Sequence, residues 1–256
     1  MQQRVVAAPQ SRLAMASVLS VANSAAARLL PFWRGVRGLA RGLKGWRTAR
    51  AQSHARRWTM ERLVARLGWT TDDLPTPDGW AGSPDLLAAL ADHVFAHKPR
   101  TVVEFGSGLS TLVLARALEL NGGGRLVSYD HLEGFAALTR RRLTALGLEA
   151  EVHVAPLTTA APHGYPGEWY DAAGLPERID LLLIDGPPDW LAGGGARGAA
   201  GPALFHRLSP GGAVLLDDAD RDGEREVAAR WRREFPHIAF DELPAHKGLL
   251  RGVRAG

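Results

Sequence analysis

From Pro84 to the C-terminus, two apolar patterns take turns along the chain. Leu86, Leu87, Leu90 and Val94 recur at three- and four-residue steps, the period of an amphipathic helix. Thr101-Val-Val-Glu-Phe105 follows Pro99 as a short apolar run, the pattern of a strand buried on both faces. The alternation continues. A helix through Leu112, Leu114, Ala115 and Leu118 is followed by the strand Leu126–Tyr129, and a helix over 133–146 is closed by Gly147. Strands are expected at 150–154, 179–184 and 213–216, with a helix carrying Leu204, Phe205 and Leu208 before the last of these. A helix over 224–235 and strands near 238–240 and 248–253 complete the chain. Such alternation predicts an α/β fold with a mostly parallel sheet and helices on both faces.

Punctuation supports this division. Ser83-Pro84-Asp85 offers an N-cap, a proline at the first helical position and an acid near the positive helix end. Ser110 or Thr111 is expected to cap the helix after the first strand. Ser209-Pro-Gly-Gly212 reads as a turn, and residues 156–178 are too rich in Pro and Gly for a helix, so they read as a hairpin or flap. Three regions result: a basic N-terminal extension over 1–53, a helix from His54 with its connector over 54–82, and the folded domain over 83–256.

Charge separates these regions. Residues 1–60 hold eleven Lys/Arg and no acid, which leaves 20 basic and 27 acidic residues, a net charge of −7, for the remainder. The body is therefore acidic, which argues against a nucleic-acid substrate. Within the extension, Phe32, Val36, Leu39, Leu43 and Trp46 share one helical face beside a stripe of Arg34, Arg37, Arg41 and Lys44. Residues 32–50 thus suit peripheral contact with an anionic membrane surface. No apolar run there is long enough for a spanning helix, and a cytoplasmic protein is expected, with residues 32–50 either in peripheral contact with a membrane or forming a loosely ordered basic tail or a helix docked on the domain. The chain has no cysteine, which excludes disulfides, zinc thiolates and a cysteine nucleophile.

The chemistry gathers at strand ends. Gly106-Ser107-Gly108 joins the first strand to a helix N-terminus, an arrangement that brings backbone N–H groups and a positive helix end close to an anion. About 25 residues after that strand begins, Leu126-Val-Ser-Tyr129 ends in Asp130, where dinucleotide-type folds place the carboxylate that holds a ribose. Ile179–Ile184 ends in Asp185, and Ala213–Leu216 ends in Asp217-Asp218. Three carboxylates on neighbouring strand ends would repel one another, and a bound Mg²⁺ would relieve this. The other reading makes Asp185 a general base, with Asp217 and Asp218 capping the next loop or pairing with Arg221 or Arg225. Arg140, Arg141 and Arg142 read as a solvated face, His206 as a surface residue, and Tyr165, Trp169 and Tyr170 as the lining of an acceptor pocket.

Four segments together carry a resemblance: Val-Val-Glu104-Phe-Gly-Ser-Gly-Leu-Ser-Thr, Val-Ser-Tyr-Asp130-His, Leu-Leu-Ile-Asp185-Gly and Pro-Gly-Gly-Ala-Val-Leu-Leu-Asp217-Asp218. In this order they resemble class I S-adenosylmethionine-dependent methyltransferases, nearest the small-molecule and sugar O-methyltransferase branch. The resemblance implies a Rossmann-like seven-stranded sheet with an antiparallel C-terminal strand. It implies that Glu104, Gly106, Ser107 and Gly108 hold the methionine moiety of S-adenosylmethionine and Asp130 the ribose. Ser110, Thr111 and Asp185 would complete the cofactor site, and His131 and Leu157 would flank the adenine. Asp185 would take the proton of a small-molecule or glycan acceptor, and Asp185, Asp217 and Asp218 would hold Mg²⁺ in a metal-dependent member. Two other classes compete: an NAD-dependent oxidoreductase, and a non-catalytic adenosine-binding protein associated with a membrane. The turn lacks the third glycine that a dinucleotide fold uses for close helix packing.

Overall fold

Side chains alternate along each strand, and the two sets bury on opposite faces of one sheet. The computed structural model describes residues 59–70, 73, 82–159, 164–192 and 195–256. The chain divides between Ala55 and Arg56, and all described residues belong to the second unit. The expectations for residues 1–53, for the start of the helix from His54 and for most of the connector lie outside the described residues.

Residues 59–66 form helix α1. Then come α2 (Pro84–His97), β1 (Thr101–Phe105), α3 (Leu109–Leu120), β2 (Arg125–Asp130), α4 (Glu133–Leu146) and β3 (Glu151–Val154). A short antiparallel hairpin, β4 (Leu157–Thr158) with β5 (Trp169–Tyr170), precedes β6 (Ile179–Ile184). The short helices α5 (Asp189–Ala192) and α6 (Ala200–Leu204) lead to β7 (Leu208–Asp217), α7 (Asp222–Glu234), β8 (Ile238–Leu243) and β9 (Leu249–Arg254). The main sheet has the order β3-β2-β1-β6-β7-β9-β8. Its first five strands are parallel, while β9 runs antiparallel to β7 and to β8. This is the Rossmann-like seven-stranded sheet with antiparallel C-terminal strands.

Val102, Leu126, Leu181, Leu183, Ala213 and Leu215 pack on one face against α1 to α4. Val103, Phe105, Val127, Leu182, Ile184, Val214 and Leu216 pack on the other, against α6, α7 and the β4–β5 hairpin. At the centre of that second layer Trp231 is fully buried, its indole N–H donating to the Gly198 carbonyl at 2.9 Å and its ring 4.8 Å from Phe205. No described helix is long and apolar enough to cross a membrane.

Three local expectations need correction. Helix α3 starts at Leu109 with Gly108 as its N-cap, and Thr111 lies at the third helical position, where its hydroxyl accepts from the Gly108 N–H at 2.9 Å. The expected capping hydroxyl thus reaches back from inside the helix. Ser209-Pro-Gly-Gly212 is no separate turn; it lies within β7, where the register against β6 slips between Ile179 and Leu181. The helix expected through Leu208 ends earlier, in a 3-10 turn over Phe205–Arg207.

The sheet places the site. β1 turns back to β2 and β3 on one side, and the chain returns to β6 on the other, so a switch in strand order falls between β1 and β6. A crevice outside the carboxyl ends of strands is where such folds bind ligands.

Candidate active site

The loop after β1 is shaped by its neighbour after β6. Gly106 has φ +103°, its N–H donates to the Tyr129 carbonyl at 2.8 Å, and a Cβ there would lie 3.0 Å from the Asp185 backbone C and O. Both the backbone angle and the close approach therefore require glycine. The loop runs into α3, whose first-turn N–H groups lack intrahelical partners by geometry and carry the positive end of the helix dipole.

Glu104, in β1, is fully buried beneath this loop. Its Oε2 accepts from the hydroxyls of Thr111 at 2.5 Å and Ser128 at 2.6 Å, while Oε1 has no partner. Burial pushes its carboxyl up to about 7, against the hydroxyls of Ser110, Ser128 and Thr111, which favour ionisation. At the end of β2, Asp130 Oδ2 accepts from the Ser107 N–H at 3.0 Å and the Ser107 hydroxyl at 2.8 Å. Its Oδ1 accepts from the Leu132 N–H at 2.9 Å, which leaves lone-pair capacity on a carboxylate able to take about four such bonds. His131 is beside it, with both ring nitrogens buried and unpartnered.

A cleft of about 340 Å³ opens between these elements. Gly106, Ser107, Gly108, Ser110, Asp130, His131, Asp185, Asp217 and Asp218 all line it. Glu104 and Thr111 stand immediately behind the loop, linked to each other rather than bordering the open space. Leu157 is elsewhere: it is half-buried in β4 and packs against the second core layer, so the adenine-flanking place expected for it is not filled by this residue. Leu132 and Phe135, 44% and 38% exposed, line the cleft instead.

Of the three aromatic residues expected at an acceptor pocket, Tyr170 alone lines the cleft. Its hydroxyl is buried without a partner, close against Gly186, and burial pushes its phenol well above 10. Trp169 packs on Phe105, and Tyr165 donates to Glu234 at 2.6 Å under the Arg230 guanidinium. Arg142, assigned to a solvated face, lines the cleft, whereas Arg140 donates to the Val152 carbonyl. His206 does not line it and is exposed.

The acids after β6 and β7 do converge. One carboxylate oxygen from each of Asp185, Asp217 and Asp218 lies within 4.8 Å of the others. Burial, with Asp217 next, pushes the Asp185 carboxyl well above the usual carboxylate range, while Arg197 pulls it back. Asp217 Oδ1 and Asp218 Oδ1 accept no hydrogen bond. That donor set suits a hard divalent ion. The surroundings do not. Arg197, only 3% exposed, has nitrogens 3.8 Å from Asp185 and 3.5 Å from Asp218. Asp218 also faces Arg221 at 2.8 Å and Lys247 at 3.6 Å. Asp218 thus faces three cations and Asp185 one, so this donor set fits a divalent ion less well than three free carboxylates would.

Arg197 was not singled out from the sequence, since an arginine in a Gly/Ala-rich stretch carries no spacing signal. Arg207 and Arg254, also basic and near strand ends, instead donate to carbonyls of Pro176 and Leu208.

Residues 103–219 match the family model described as a methyltransferase domain. Over this stretch the chain is similar to methyltransferases. No curated protein sequence matches it. Among solved structures, a methyltransferase from Podospora anserina bound to S-adenosylhomocysteine superposes with a TM-score of 0.57 at 18% identity, covering 82% of this chain and 96% of that one. A methyltransferase from Geobacter sulfurreducens gives 0.51 at 21% identity over 77% and 87%. An O-methyltransferase from Bacillus cereus, in complex with S-adenosylhomocysteine, gives 0.50 at 19% identity over 77% and 90%. Likeness at these identities is likeness of fold. The matched stretch runs from β1 to just past β7 and so contains every carboxylate of the cleft.

Proposed function

We propose that this domain methylates a hydroxyl oxygen of a small molecule or sugar, with S-adenosylmethionine as the methyl donor. One observation carries the reading: the Gly106–Gly108 turn, the Asp130 carboxylate and the Asp185 carboxylate open on a single cleft at the switch between β1 and β6. Fit to the donor can be judged from unpaired groups. The two His131 nitrogens and the Tyr170 hydroxyl, on residues that line the cleft, are buried without a hydrogen-bond partner, and groups of this kind are costly unless a ligand meets them. They suit a ligand with an ammonium, a carboxylate and ribose hydroxyls.

In this reading the N-terminus of α3 takes the methionine carboxylate. Glu104 offsets the positive charge of the donor, and Asp130 accepts from the ribose hydroxyls. Leu132 and Phe135 offer the apolar surface an adenine ring needs, with His131 beside them. Trp190, 69% exposed on the cleft, provides an aromatic face for the acceptor. When bound, the donor supplies an electrophilic methyl group: the acceptor oxygen forms the new O–C bond with a lone pair, and the S–C bond breaks with its electrons remaining on sulfur. Asp185 accepts the proton of the acceptor hydroxyl on a carboxylate oxygen. Alignment and a fixed electrostatic environment supply the rest. No step is assigned to a divalent ion, because Arg197 is fixed beside Asp185 and Asp218, and Asp218 also faces Arg221 and Lys247.

The test is transfer of a labelled methyl group from S-adenosylmethionine to a panel of catechols, phenols and sugars. Wild type is expected to label a hydroxylated acceptor, and Asp185→Asn to lower kcat roughly 100- to 10,000-fold, the usual worth of a positioned general base. A full-rate Asp185→Asn enzyme would remove Asp185 from the proton transfer.

A further inference from the structure

Arg197 stands where a catalytic cation would be wanted, yet it belongs to the chain. It sits on a 3-10 turn, Ala196–Ala199, directly before α6, and its side chain is 4% exposed. Three backbone carbonyls hold its planar fork: Nε donates to Pro187 O at 3.3 Å, Nη1 to Asp217 O at 3.0 Å and Nη2 to Asp185 O at 3.3 Å. Two of these carbonyls belong to the acids at the ends of β6 and β7, so the guanidinium ties the two loops together. It also faces Glu224 at 3.7 Å from α7, in addition to Asp185 and Asp218. A charge fixed in this way cannot withdraw to admit another cation.

We propose that Arg197 is a built-in replacement for a divalent ion: it holds the β6 and β7 loops and the Asp185 carboxylate in place, and the cleft transfers methyl groups without metal. The inference rests on the methyltransferase reading given above. Arg197 acts as a positioning residue. It reaches the reacting atoms through Asp185, and its fork shape matters as well as its charge. Arg197→Met would remove the cation that Asp185 and Asp218 share and so create the affinity for a divalent ion that the wild type lacks. Arg197→Lys would keep the charge but lose the three-carbonyl grip.

The experiment titrates Mn²⁺ into wild type, Arg197→Met and Arg197→Lys, following its paramagnetic signal, with S-adenosylhomocysteine calorimetry on the same samples. Wild type is expected to bind S-adenosylhomocysteine, to bind no Mn²⁺ at millimolar concentration and to keep its methyl-transfer rate in chelator. Arg197→Met should bind Mn²⁺; Arg197→Lys should not, and should recover part of the lost rate. Stoichiometric Mn²⁺ binding by wild type, or loss of its activity in chelator, overturns the inference while leaving the methyltransferase reading intact. Failure of S-adenosylhomocysteine to bind wild type would instead remove that reading. The wild-type arm decides the matter even where Arg197→Met does not fold.

Discussion

A carboxylate buried beneath the Gly106–Gly108 loop has consequences that can be measured without any substrate. Glu104 has an ordinary pKa of 4.5 when exposed and one raised to about 7 when folded, chiefly by burial. The folded state therefore holds that proton more tightly. Its contribution to stability is complete below about pH 4.5 and is lost as pH rises through about 7, a swing on the order of 3 kcal/mol. Glu104→Gln cannot titrate, so the gap in unfolding free energy between variant and wild type should shift by about that amount, in favour of the variant, between about pH 5 and pH 9. Urea denaturation of the ligand-free proteins measures it. A gap that stays constant with pH would mean that Glu104 is not held in the apolar setting described. Part of this site was legible residue by residue. Asp130 and Asp185 follow directly on apolar strands, and strand ends are visible in a sequence. Tyr170 comes from a two-residue hairpin strand and Arg197 from a 3-10 turn, and only the tertiary fold decides that both face the cleft while Trp169, beside Tyr170, does not.

At the scale of elements, the loop between β1 and α3 makes two glycines unequal. Gly106 has φ +103° and the Asp185 backbone at its back; Gly108 has an extended φ of 167°, and a Cβ there would meet nothing within 4 Å. Gly106→Ala should therefore cost about 1–3 kcal/mol and weaken binding of the donor product, whereas Gly108→Ala should unfold at nearly the wild-type temperature. Thermal melts of the two variants side by side give the comparison, and equal losses would contradict the loop geometry. Strands and most helices followed from periodicity, because each strand is buried on both faces and each helix on one. The departures have local causes. The Ser209–Gly212 segment looks like a turn by composition but continues β7 across a slip in register, and Leu157 occupies a two-residue hairpin strand too short to leave a pattern.

Taken whole, the molecule puts its ligand-facing groups at one end of the sheet and its packing on the two faces. The strand order made that end expectable, since β1 and β6 lie side by side with opposite continuations. The balance of charge within the cleft was not expectable, because it depends on Arg197, Arg221 and Lys247 arriving from three separate segments of the chain. The central claim is that the Gly106–Gly108 turn and Asp130 hold one nucleoside between them. Calorimetry with S-adenosylhomocysteine and with NAD, on wild type and on Asp130→Ala, tests it most directly. The account predicts that wild type binds S-adenosylhomocysteine in preference to NAD. It also predicts that Asp130→Ala weakens that binding roughly 100-fold or more, the worth of two hydrogen bonds to a charged acceptor. Tight NAD binding without a response to S-adenosylhomocysteine, or an Asp130→Ala protein that binds S-adenosylhomocysteine as wild type does, would contradict it.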